Sequence, residues 1–137
     1  MFVAAADWNP ATVRGMGHWR ADPMMEKYVG AGRDSDFGVI ADGDDGPVGA
    51  VWMRYFTAAN PGYGFVDEQT PELSIGVHES FRGQGVGRAL MRAAIEAAPD
   101  RLSLSVEDGN RAIHLYESFG FVPVGRERNS TTMLWER

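Results

Sequence analysis

The sequence contains no cysteine, which excludes a disulfide scaffold, a thiolate zinc site and a cysteine nucleophile together. Lysine is nearly absent too: twelve of the thirteen basic residues are arginine, and Lys27 is the remaining one. Basic residues as a class are outnumbered by nineteen acidic ones, giving a formal charge of −6 and a pI near 5.0. Such a surface repels phosphate backbones, so no nucleic-acid partner is expected and a cationic one is favoured. No apolar run approaches the ~20 residues of a membrane helix, so no membrane partner is expected. The start, Met1-Phe2-Val3-Ala4-Ala5-Ala6-Asp7, lacks the basic residues and apolar length of a secretory signal. A soluble, cytoplasmic chain is the expectation.

What is present is of globular type. With 137 residues, 44% apolar and 23% charged, the chain suits one domain over 1–137 with a single core. Glycine and proline interrupt every candidate helix before Pro23, and Met24 to Val29 can form a short helix ahead of Gly30-Ala31-Gly32. Phe37 to Ala41 and Val48 to Phe56 read as strands joined by a turn at Asp42 to Gly46. Asn60 to Gly64 reads as loop and Glu72 to Val77 as strand. Val86, Leu90, Ala93 and Ala97 recur at helical spacing, Met91 and Ile95 widen that face, and Pro99 ends the helix. Leu102 to Val106 is a strand. Asn110 to Phe119 is a second helix, with Ala112, Leu115, Tyr116 and Phe119 on one face and Gly120 as its stop. Phe121 to Val124 and Thr131 to Trp135 read as closing strands. The order is that of a mixed α/β domain.

Strand, then Arg82-Gly83-Gln84-Gly85-Val86-Gly87-Arg88, then helix is the most informative segment. Glycines let backbone approach a ligand, and a helix start offers unpaired N–H groups and a positive dipole end, which suits a phosphate or pyrophosphate. The bland alternative is a plain strand-to-helix turn. A P-loop would need a lysine that is missing here. In a dinucleotide fingerprint the last glycine place falls on Arg88 or Leu90, although Glu107 lies at a suitable distance for a ribose. A methyltransferase-type G-x-G-x-G fits Gly83, Gly85 and Gly87, but only 50 residues follow Gly87, too few for its sheet.

Other constellations carry no chemistry. His18, His78 and His114 lack metal-ligand spacing, so no metal is expected. The acidic run at Asp42 has Pro47 where a calcium loop needs glycine. Asn129-Ser130-Thr131 is a glycosylation sequon on paper only. Trp8, Trp19, Trp52 and Trp135 are simplest as core aromatics. Tyr55, Phe56, Tyr63 and Phe65 surround the loop before Glu72, and some of them are expected to line an acceptor pocket.

Arg82-x-x-Gly85-x-Gly87, taken with Asn110-Arg111-Ala112-Ile113-His114-Leu115-Tyr116-Glu117-Ser118-Phe119-Gly120-Phe121, resembles the GNAT superfamily of acyl-CoA N-acyltransferases over about residues 37–121. The resemblance implies a central, mostly antiparallel mixed sheet flanked by helices. The sheet would splay between Glu72–Val77 and Leu102–Val106 to admit acetyl-CoA. It implies that Arg82, Gly83, Gln84, Gly85, Val86, Gly87 and Arg88 receive the CoA pyrophosphate. Ile75, Gly76 and Val77 would contact the pantetheine arm, one of their N–H groups polarising the thioester carbonyl. Asn110 would lie near the cofactor and Tyr116 near the thioester sulfur, as a phenol donating to the departing thiolate. Glu72 matches the strand position where several members carry a base, with Asp67 and Glu68 as alternatives. Members usually open with a strand and two helices, and this chain has little room for that strand. The implied partners are acetyl-CoA and an amine acceptor, with a homodimer left open. A non-catalytic acyl-CoA-binding or sensing module on the same fold is the alternative.

Overall fold

The computed structural model describes residues 37–137; the short helix expected over Met24–Val29 and the residues His18, Trp8 and Trp19 lie outside them. Within them, β1 (Phe37–Gly43) and β2 (Gly46–Arg54) form the expected hairpin, closed by Asp44 and Asp45. β3 (Glu72–Val77) follows a long loop. A 3₁₀ turn (Glu79–Phe81) and the glycine-rich segment then lead into α1 (Val86–Ala97). β4 (Arg101–Glu107), α2 (Ala112–Ser118), β5 (Val122–Glu127) and β6 (Ser130–Glu136) complete the order.

The six strands form one sheet in the order β1-β2-β3-β4-β6-β5. Every neighbouring pair is antiparallel except β3–β4, which is parallel. That parallel pair shares one register position, Glu72 opposite Ser103, whereas β2–β3 and β4–β6 are paired along their lengths. The mixed α/β fold, its mostly antiparallel sheet and the parting of β3 from β4 are as expected.

The register places Val51, Met53, Leu73, Leu102, Leu104, Met133 and Trp135 on one face of the sheet. They join Leu90, Met91 and Ala94 of α1 and Tyr116 of α2 in one buried cluster. Burial of this much apolar surface is what holds the helices to the sheet. The buried stripe of α1 is centred on Leu90, Met91 and Ala94, while Ala93 is half-buried and Ala97 exposed. Leu90, Ala94 and Ala98 follow the i, i+4, i+8 row, which leaves Ala97 on the flank of the helix. The helix ends where expected: Ala98, before Pro99, is extended with φ −66° and ψ 149°. The carbonyls it leaves there are met by Arg137, whose Nη2 donates to Ile95 O at 3.1 Å and Ala98 O at 2.7 Å.

Candidate active site

The glycine-rich segment follows β3 after the short 3₁₀ turn. Arg82 Nε donates to the Val77 carbonyl at 3.2 Å, and Gln84 Nε2 to the Ser80 carbonyl at 3.2 Å, folding the turn back on the strand. Its three glycines are there for different reasons. Gly83 and Gly85 have φ of 77° and 85°, a conformation that costs an L-residue, and a Cβ on either would meet nothing within 4 Å. Gly87 is a packing glycine, since its Cβ would lie 3.4 Å from Leu115 Cδ2 and 3.8 Å from Val77 Cγ2. The end of β3, the first turn of α1 and the side of α2 therefore meet at Gly87. Gly85 is the N-cap of α1 and has no side chain to cap it, so the helix's first N–H groups face outward beside open space. An anionic group fits such a place by charge and by room. Arg88 leans away over the Phe119 ring, 5.5 Å from its centroid.

Tyr116 is on the buried side of α2, one residue beyond Leu115, with its ring edge-to-face on Phe121 at 6.2 Å. Burial pushes its phenol up to about 12, because a phenolate would lose its hydration there. Asn110 opens α2: its Oδ1 accepts from the Ala112 N–H at 2.9 Å, the usual duty of asparagine at a helix start. That leaves its amide nitrogen as the end able to donate to a ligand.

The expected carboxylates all hold the loop between β2 and β3. Glu72 is 5% exposed and its Oε1 accepts from the Gly64 N–H at 2.9 Å. Glu68 Oε2 accepts from the Ala58 N–H at 2.9 Å. Asp67 takes the Gln69 N–H at 3.0 Å and pairs with Arg101 at 2.8 Å. Of the three, Glu72 stands at the register position from which β3 and β4 part. Around the loop Phe56 is buried at 4% exposure, while Tyr55, Tyr63 and Phe65 are half-buried.

His78 Nδ1 accepts from the Ser80 N–H at 3.3 Å and caps the 3₁₀ turn. Among the described residues no group of three or more His, Asp or Glu is placed to hold a metal ion, and no helix is long and apolar enough to cross a membrane. Two features escape the sequence reading. Gly64, taken there as plain loop, is buried against β4. Arg126 donates to both Asp108 oxygens at 3.0 and 2.7 Å, tying β5 to the loop before Asn110. Gly64 sits in a P-G-Y-G-F string whose paired glycines are the one sign of it.

The chain is similar to known proteins in sequence and in fold. The model of the acetyltransferase (GNAT) family matches residues 4–121. A mycothiol acetyltransferase of Jonesia denitrificans is 40% identical over 90 residues, 61% of this chain and 26% of the relative. The chain thus spans about a quarter of that relative's length. A crystal structure assigned as a phosphinothricin N-acetyltransferase superposes with a TM-score of 0.70 at 24% identity, covering 98% of this chain and 89% of the other. A Salmonella typhimurium protein assigned as an acetyltransferase, solved with its cofactor acetyl-CoA, gives a TM-score of 0.59 at 24% identity over 74% of this chain and 65% of the other.

Proposed function

Because the chain belongs to the GNAT acetyltransferase family, we propose that it transfers an acetyl group from acetyl-CoA to a primary amine in the cytoplasm, without a metal. The observation that carries this reading is the pairing of β3 with β4 at the single position Glu72–Ser103, which leaves β3 open toward Val77, where a helix start built on left-handed Gly83 and Gly85 follows. An unpaired strand edge can hydrogen-bond an extended amide-bearing arm, and the helix start can hold its pyrophosphate.

Acetyl-CoA, when bound, supplies the acyl carbonyl and a thiolate leaving group. The turn from Arg82 to Arg88 holds the pyrophosphate, with the Asn110 amide as a further donor. Ile75, Gly76 and Val77 offer backbone groups along the arm, and one N–H there polarises the carbonyl. An alkylammonium must shed a proton before its nitrogen attacks, and Glu72 is the carboxylate assigned to that proton, directly or through water. As the C–N bond forms, the C–S bond breaks, its electron pair leaves on sulfur, and the nitrogen gives up its second proton to solvent.

Tyr116 then donates a hydrogen bond to that sulfur. With its phenol near 12 and a thiol near ~8.5, full proton transfer runs uphill. Its contribution is a preorganised donor rather than a delivered proton.

Thiol release from acetyl-CoA with a panel of amines, mycothiol-related compounds included because of the relative's name, tests the reading. Turnover with at least one amine is expected. Tight acetyl-CoA binding with no turnover for any amine would instead identify an acyl-CoA-binding or sensing module.

A further inference from the structure

The loop of residues 55–71 is long for a strand connection, and acidic side chains pin it at Ala58, Gly64 and Arg101. The Glu72–Gly64 bond is the interior one. Gly64 itself is pressed on β4: a Cβ there would lie 2.6 Å from the Leu104 carbonyl carbon, 2.8 Å from Ser105 N and 2.9 Å from Leu104 O. These are main-chain atoms, which cannot rotate aside as a flexible side-chain end can.

Leu104 and Ser105 are the first residues of β4 beyond Ser103, the register partner of Glu72. Ser103 still follows the sheet, its N–H donating to the Pro71 carbonyl at 3.0 Å. One residue later the backbone pressed on β4 is that of Gly64. Phe65 N–H donates to the Gly62 carbonyl at 3.3 Å, so Gly62 to Phe65 form a closed turn. Gly62 and Gly64 are buried, and Tyr63 and Phe65 half-buried.

We propose that the Gly62–Phe65 turn forms the floor of the cleft between β3 and β4 and restricts the site to short acyl chains, with Gly64 as the positioning residue that lets the turn seat on β4. The proposal rests on the acyl-transfer reading above and adds to it which acyl groups are admitted. The glycine-rich segment lies beyond Val77 at the wide end of the cleft, and the strands converge at Glu72. An acyl group on an arm held along Ile75 to Val77 therefore points toward the narrow end. There a long chain meets the turn and the Leu104–Ser105 backbone. Glu72 is the brace, because its buried carboxylate holds the Gly64 N–H on the inner side of the turn.

Binding of acetyl-CoA, butyryl-CoA, octanoyl-CoA and CoA to the whole chain tests this by titration calorimetry, without any acceptor amine. An open-ended cleft would bind octanoyl-CoA more tightly, since buried methylenes favour binding. With the floor in place, acetyl-CoA binds at least about tenfold more tightly than octanoyl-CoA. Octanoyl-CoA bound as tightly as acetyl-CoA overturns the proposal. Gly64→Ala must lift the turn from β4, so the acetyl-to-octanoyl ratio should shrink to about threefold or less, with CoA itself held as by wild type. A folded Gly64→Ala protein that keeps the full ratio refutes the role of Gly64. Glu72→Gln retains an oxygen for the Gly64 N–H and should keep the wild-type ratio, which separates seating of the turn from carboxylate charge. A lost ratio there would transfer the effect to that charge and end the argument from seating. Even if Gly64→Ala does not fold, wild-type protein that binds octanoyl-CoA as tightly as acetyl-CoA overturns the proposal. If none of the four compounds binds, the acyl-transfer reading falls and takes this proposal with it. If CoA binds without discrimination by chain length, this proposal alone falls.

Discussion

Phe121 donates its backbone N–H to the carbonyl of Tyr116 at 3.1 Å while the two rings sit edge-to-face at 6.2 Å. Between them Gly120, at φ 99°, donates to the Glu117 carbonyl at 3.0 Å. Together these bonds form a left-handed helix stop with its usual apolar contact across the end. The Tyr-x-x-x-Gly-Phe spacing is thus a single structural unit. The tyrosine's ring is held by the phenylalanine that the glycine turns back onto it.

Gly120→Ala should destabilise the chain by roughly 1–2 kcal/mol, the cost of a left-handed conformation for an L-residue. Denaturant unfolding measures this directly. Because the same unit orients Tyr116, turnover in the folded variant should fall while acetyl-CoA affinity changes little.

Tyr116→Phe removes one oxygen and leaves the ring on Phe121, so unfolding should show only a modest penalty. Turnover should fall by roughly ten- to a thousand-fold, near the low end of the range for acid–base groups. The Michaelis constant for acetyl-CoA should stay nearly constant, the mark of an interaction made in the transition state. Wild-type turnover in this variant would reduce Tyr116 to a core residue.

The buried phenol also sets an alkaline limit. Its folded value of about 12 lies above the ordinary 10.0, so the unfolded chain releases this proton first. Stability linked to it is complete below pH 10 and is lost as pH rises toward 12, by up to about 1.4 kcal/mol per pH unit. Denaturation followed across that window should show this component in wild type and lack it in Tyr116→Phe.

Gly85→Val separates folding from ligand binding. The new Cβ meets no protein atom within 4 Å, but φ of 85° is strained for it, so a penalty of about 1–2 kcal/mol is expected without ligand. Its branches project into the open space beside the helix start. Acetyl-CoA should therefore give little of the thermal stabilisation seen with wild type, which grows as RT ln(1 + [L]/Kd). Undiminished stabilisation would remove the turn from the pyrophosphate site.

Glu72→Gln keeps the oxygen that Gly64 needs and discards the basic charge. Turnover with the amine found by screening should fall by about 10²–10⁴-fold at neutral pH, and by less at high pH, where the amine is already deprotonated. A loss that is equal at all pH values would assign the proton to water.

The boundaries of every strand from Phe37 onward and of both helices were legible to within about three residues, because each is written in local chemistry. Alternating apolar residues make strands, a proline ends α1, and a glycine ends α2. The glycine-rich segment was legible for the same reason, since left-handed turns demand glycine where they occur. Nothing local distinguishes Gly87, which packs on Leu115, from Gly83 and Gly85, which bend the chain. Nor does the sequence around Gly64 reveal that it touches β4, forty positions onward in the chain at Leu104. Glu72 stands at a strand start in the sequence and is buried in the structure, because the loop before it folds back over the point where β3 and β4 separate. The sequence by itself determined the elements, the glycine turn and the Tyr116–Phe121 unit, all within a span of a few residues. The tertiary structure alone decided which elements meet, since strand pairing joins residues by register rather than by order along the chain. The parting of β3 from β4, and the loop that fills its base, exist only once that register is set.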